Sequence, residues 1–125
     1  MKYIDYVLIA FLLLLGIAHT ALTPFFYKEF NEEFIWFAGT GLAFVFLSFL
    51  NISRVISRLI KIGIISIISN ILGLTLVLCL LSASKSVGIQ GYISLLVLIL
   101  ILYFSVRSTF LLWKLEPVAG GDRAR

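Results

Sequence analysis

The sequence predicts an all-α fold, an integral membrane four-helix bundle, and three observations carry that prediction. The first is composition: 62% of the 125 residues are hydrophobic and 13% charged, with a mean hydropathy of +1.15. A soluble domain has apolar content near one half and charge near one quarter. The second is spacing. The segments 6–27, 34–53, 62–84 and 86–106 contain no Asp, Glu, Lys or Arg, and together they take up 86 of the 125 residues. A helix crosses the hydrocarbon core with roughly 20 mainly apolar residues, so each segment is long enough for one span. The third is charge asymmetry. With four spans, Lys2, Arg54, Arg58, Lys61, Arg107, Lys114, Arg123 and Arg125 fall on one side and only Lys28 and Lys85 on the other. The positive-inside bias then puts both termini in the cytoplasm.

The first helix is expected over 6–23, with Pro24 as its stop. Its apolar run is long and its small-residue cleavage pattern poor, so it reads as a retained helix and not as a signal peptide. Residues 24–33 are aromatic and acidic together. Phe25, Phe26, Tyr27, Phe30, Phe34 and Trp36 suit an interfacial belt at the outer surface, or a cap over a pocket. The second helix is expected over 33–51. The stretch 52–61 that follows is amphipathic, with Ile52, Val55, Ile56, Leu59 and Ile60 on one face and Arg54, Arg58 and Lys61 on the other. Such a segment lies in the interface plane with its cations on anionic headgroups, either as a separate surface helix or as a continuation of a span. The third helix, over 62–81, carries Gly63, Ser66, Asn70 and Gly73 in one stripe. Small residues on one face let helix backbones approach closely, which marks the stripe as the bundle seam or a protomer interface. The fourth helix is expected over 91–113, with Tyr92 and Trp113 as anchors, and 116–125 as a disordered tail.

Polar groups inside a membrane are costly and serve as default functional hypotheses. His19 lies roughly 20 Å above the inner end of the first helix. Thr40, about 9 Å below the outer surface, and Thr75 come to a similar level. With Thr20, Trp36, Glu32 and Glu33 near the mouth, these groups are the candidate ligand-binding set. His19 alone among them titrates ordinarily near neutrality. Its structural reading is an interhelical hydrogen bond, to Thr40. Asn70 reads first as interhelical glue, and Asn51 as a helix-end residue. Arg107 is expected to snorkel or to pair with Asp5, and Arg54, Arg58, Lys61 and Arg107 form the candidate lipid-headgroup set on the cytoplasmic face.

No metal or cofactor is expected. One histidine cannot build a usual four-ligand zinc site, and it could serve a haem only singly or across a dimer. A single cysteine, Cys79, allows no intramolecular disulfide. Phosphate-loop, dinucleotide and paired metal motifs are absent from the sequence. No carboxylate falls inside the four segments, which argues against a proton-coupled exporter of the small multidrug-resistance type, similar to this chain only in length and span count. Nucleic-acid binding is not expected despite the net charge of +4, since no soluble module presents a basic patch. The strings Gly16–His19 and Trp36–Leu42 resemble those of a small bacterial inner-membrane protein and point to no family. The expected function is non-enzymatic: binding a small apolar or amphipathic ligand, a lipid or a partner through the outer half. The alternatives are an oligomeric channel or transporter subunit, meeting as a homo-oligomer through the Gly63 stripe, and an enzyme using His19 as acid or base.

Overall fold

The computed structural model describes residues 2–83 and 89–120, which form four helices: α1 (Lys2–Phe26), α2 (Glu32–Ser57), α3 (Ile60–Ala83) and α4 (Ile89–Gly120). Each is long and apolar enough to cross a membrane. Consecutive helices pack as neighbours and α4 closes back on α1, so the bundle is an up-down ring of two hairpins, α1–α2 and α3–α4. One end, the basic end, gathers the start of α1, the α2–α3 turn and the last turns of α4. The opposite, acidic end carries the α1–α2 loop. Lys85, expected on the side opposite the other basic residues, and tail residues 121–125 lie outside the described residues.

Several helix boundaries differ from expectation. Pro24 does not stop α1, which runs on to Phe26. A proline removes its own N–H bond and crowds the carbonyl four residues back, but close to a helix end this is tolerated, and Tyr27 N–H still donates to the Thr23 carbonyl at 2.9 Å. The amphipathic stretch after residue 51 takes the second of its two expected forms, a continuation of the span, and is no separate surface helix. α2 absorbs it as far as Ser57, leaving a two-residue turn. Arg58 caps α2 in the left-handed region (φ 51°) and its N–H donates to the Arg54 carbonyl. At the other end Asn31 Oδ1 accepts from Phe34 N–H at 2.9 Å, and Glu32 and Glu33 fill the first turn. Both choices suit a helix N-terminus, whose N–H groups are unpaired and whose dipole favours acids. α4 continues past Trp113 through Gly120.

The interior is stacked in layers along the bundle axis. Leu12, Phe44, Leu47, Val77, Val97, Leu98 and Ile101 form an apolar core at mid-height. Toward the basic end follow polar side chains; toward the acidic end the hairpins part around a cleft. Close packing within and between the hairpins comes from glycine. A Cβ on Gly16 would sit 2.7 Å from the Gly41 carbonyl, and one on Gly41 would sit 2.8 Å from the Gly16 carbonyl, so these backbones touch. Gly63 accommodates Thr109 of α4, and Gly73 accommodates Leu47 of α2. Among the described residues eleven polar side chains are buried against eight apolar ones, while Phe11, Leu14, Phe46, Phe49, Leu72, Leu96 and Phe110 face outward. The molecule is apolar outside and partly polar inside.

Candidate functional site: an acidic-end cleft and a buried polar network

Between the two hairpins, at the acidic end, opens a cleft of about 820 Å³. From α1 and α2 it is lined by His19, Trp36, Phe37, Thr40 and Phe44, and from α3 and α4 by Leu76, Val77, Leu80, Gln90 and Ser94. Tyr27, Glu32 and Glu33 stand among the lining residues at the loop side. His19 stacks on Phe37, with ring centroids 3.7 Å apart and planes 18° off parallel. Phe44 lies tilted beneath it and Tyr27 packs on the other flank of Phe37. Trp36 Nε1–H donates to Glu32 Oε1 at 3.2 Å, which fixes that carboxylate beside the indole. The cleft therefore offers an aromatic and acidic mouth, a polar rim and an aliphatic wall. An amphipathic molecule needs that sequence of surfaces.

Five of the seven candidate ligand residues meet here: His19, Trp36, Thr40, Glu32 and Glu33. Thr20 and Thr75 do not. Thr20 turns toward α2 and packs on Gly41, its hydroxyl donating to the Gly16 carbonyl at 3.0 Å. Thr75 is exposed on the outer surface and donates to the Ile71 carbonyl. Gly73 and Val77 face inward, and a helix turns about 200° over two residues, which leaves Thr75 outside. Equal depth is not equal facing. The expected His19–Thr40 bond does not form: the Thr40 hydroxyl donates to the Trp36 carbonyl at 2.8 Å, and the His19 ring stacks on Phe37. Phe37, which holds the histidine ring, went unnoticed in the sequence among many aromatics.

Below the apolar core lies a polar network that joins all four helices. Asn51 and Asn70 pair amide to amide: Asn51 Nδ2 donates to Asn70 Oδ1 at 2.9 Å, and Asn70 Nδ2 to Asn51 Oδ1 at 3.1 Å. Asn51 Oδ1 also receives Ser66 Oγ–H at 2.9 Å and Ser105 Oγ–H at 3.0 Å. A carbonyl oxygen has two lone pairs, so these donors share it. One turn nearer the basic end, Arg54 Nη2 donates to Asp5 Oδ1 at 2.7 Å, and Arg54 Nη1 donates to Ser108 Oγ. Asp5, Asn51, Arg54, Ser66, Asn70 and Ser105 are all buried.

Three expectations need correction on this point. Arg54 is not a headgroup cation on an outer face; its guanidinium points into the bundle. Asp5 makes an ion pair with Arg54, where Arg107 is the expected partner. Asn51 is not a helix-end residue but the hub of the network. The Gly63, Ser66, Asn70 and Gly73 stripe is turned inward within one chain. A readable signal existed: α2, α3 and α4 each carry two polar residues three or four apart, one helical turn, namely Asn51 and Arg54, Ser66 and Asn70, Ser105 and Ser108. Of the remaining basic candidates, Arg58 and Arg107 line a groove at the basic end, and Lys61 is exposed beside it.

No family model matches the chain, and neither a curated protein nor a solved structure does.

Proposed function

We propose that this chain is a multi-pass protein of a cell membrane, with both termini cytoplasmic, that binds a small amphipathic molecule in the acidic-end cleft and catalyses no reaction on it. A bacterial inner membrane is the setting that suits its size and charge pattern. Membrane embedding is supported by the inverted exterior: that many outward Phe and Leu side chains would form an extended apolar patch in water, which monomeric soluble proteins avoid. The cluster of basic residues at one end supports the cytoplasmic orientation.

The observation that carries the ligand reading is the composition of the cleft wall. Its volume lies in the range of small-molecule sites, and such sites are mainly apolar with a few placed polar groups. Channel function is less well supported. The apolar core seals the interior between the cleft and the polar network, and the stripe that would join protomers is already used inside one. An acid–base role for His19 needs a catalytic partner within hydrogen-bond reach, whereas the ring is held by aromatic stacking and Glu32 is held by Trp36.

Leu80→Trp, which fills the cleft from α3, tests the reading. Titration of the purified protein with N-phenyl-1-naphthylamine, an apolar fluorescent probe, should show saturable binding by the unmodified chain. Filling the cleft should weaken it about tenfold, equivalent to ~1.4 kcal/mol, at unchanged thermal stability. Equal binding by both proteins overturns the proposal.

A further inference from the structure

The face that α2 turns to the acidic-end cleft is graded along its length. Glu32, Trp36, Thr40 and Phe44 recur at every fourth residue, and all four line the cleft. At ~1.5 Å per residue the series runs about 18 Å, from carboxylate to indole, hydroxyl and phenyl. Three donors along the cleft are already committed inside the protein. Trp36 Nε1–H donates to Glu32, the Thr40 hydroxyl to the Trp36 carbonyl, and the Ser94 hydroxyl to the Gln90 carbonyl. The two hydroxyl oxygens and the carboxylates of Glu32 and Glu33 keep lone pairs for a ligand. Among the described residues the lining holds neither lysine nor arginine. Such a wall offers acceptors and negative charge at its mouth and hydrocarbon at its depth.

The helix end does not by itself account for Glu32. Asn31 supplies the side-chain acceptor at the start of α2, and the Glu32 carboxylate reaches instead to the indole one turn along. A carboxylate that accepts from an indole N–H polarises the ring, and the face of an electron-rich ring attracts cations. We propose that the occupant of this cleft is a protonated long-chain amine. Its ammonium sits at the mouth beside Glu32, Glu33 and the Trp36 ring, and its chain runs toward Phe44 along Leu76 and Leu80. The proposal rests on the cleft reading above and adds the charge and chemical class of the ligand.

Displacement of bound N-phenyl-1-naphthylamine from the purified chain in uncharged detergent provides the test, with decylammonium and decanoate as competitors. The two share a chain length and carry opposite charges at roughly pH 8. Decylammonium should displace the probe at the lower concentration. Glu32→Gln removes one charge but leaves an amide oxygen to accept from the Trp36 indole, so the wall stays in place. It should raise the decylammonium concentration required by about fivefold, the upper range for one exposed charge pair, and should not weaken decanoate. Glu29→Gln removes the same charge from the preceding loop, outside the cleft lining, and should change little. Equal displacement by the two competitors, or equal losses from the two variants, overturns the proposal while saturable probe binding leaves the cleft reading intact. Probe binding unaffected by Leu80→Trp would instead defeat the cleft reading itself.

Discussion

The charge pair of Asp5 and Arg54 is the most consequential contact at the scale of single residues. Each group buried alone would be an uncompensated charge; together, with Ser108 and Asn51 taking up further donors, they are satisfied. Breaking a buried pair from one side costs about 3–5 kcal/mol, whereas replacing both partners by apolar groups can be neutral. Asp5→Asn or Arg54→Met alone should therefore lower thermal stability in mild detergent sharply. Asp5→Leu combined with Arg54→Met should recover most of the loss, and a double variant as unstable as the sum of the singles would refute the coupling. Asn70→Leu should cost less, about 1–2 kcal/mol, because interhelical hydrogen bonds in membranes are individually modest. Little of this was legible in the sequence. A rule that treats every charge as the end of a span excludes Asp5 and Arg54 from the spans, since it cannot see that opposite charges 49 residues apart cancel one another. Asn70 was legible, because an amide on a small-residue stripe has nowhere to point but inward.

Glycine placement and local capping govern the elements. Gly16 and Gly41 bring α1 and α2 into backbone contact, and any side chain there must push a carbonyl away. Gly41→Leu should open the hairpin and cost about 1–3 kcal/mol, as overpacking does. Gly39, two residues away, meets nothing within 4 Å, so Gly39→Ala should be neutral or stabilising by up to ~1 kcal/mol through helix propensity. Thermal unfolding of the pair would settle the matter, and equal effects would mean that the contact does not govern packing. The element count and approximate spans were readable from charge spacing alone, because twenty uncharged residues have few alternatives. The ends were not. Nothing in the residues following Asn51 separates a surface helix from a continued one; the outcome depends on Arg54 finding Asp5 and Ser108 inside. Exposed polar side chains follow the same economy: Ser53, Ser57 and Thr75 each return their hydroxyl to the carbonyl four residues back. Such bonds leave no donor unpaired where solvent is absent.

At the scale of the whole molecule, two openings at opposite ends are separated by Leu12, Phe44, Leu98 and Ile101, all fully buried. Among the described residues, that layer leaves no polar path along the bundle axis. Proteoliposomes holding the purified chain should therefore pass potassium or protons no faster than empty ones; a flux proportional to protein would contradict the sealed interior. The layering was partly legible, since His19 and Thr40 were readable as one depth. Which of the co-level groups face one another depends on helix rotation, and hydropathy does not encode rotation when apolar residues surround every helix. The ion pair also has a bearing on the order in which the chain is built. Asp5 is made 49 residues before Arg54, so a nascent α1 alone carries an unanswered carboxylate. The α1–α2 hairpin is thus the smallest portion of the chain whose deepest charges cancel. Asn51, lodged beside Arg54, then awaits Ser66 and Asn70 from α3 and Ser105 from α4, so synthesis delivers the network's partners in the same order as its helices.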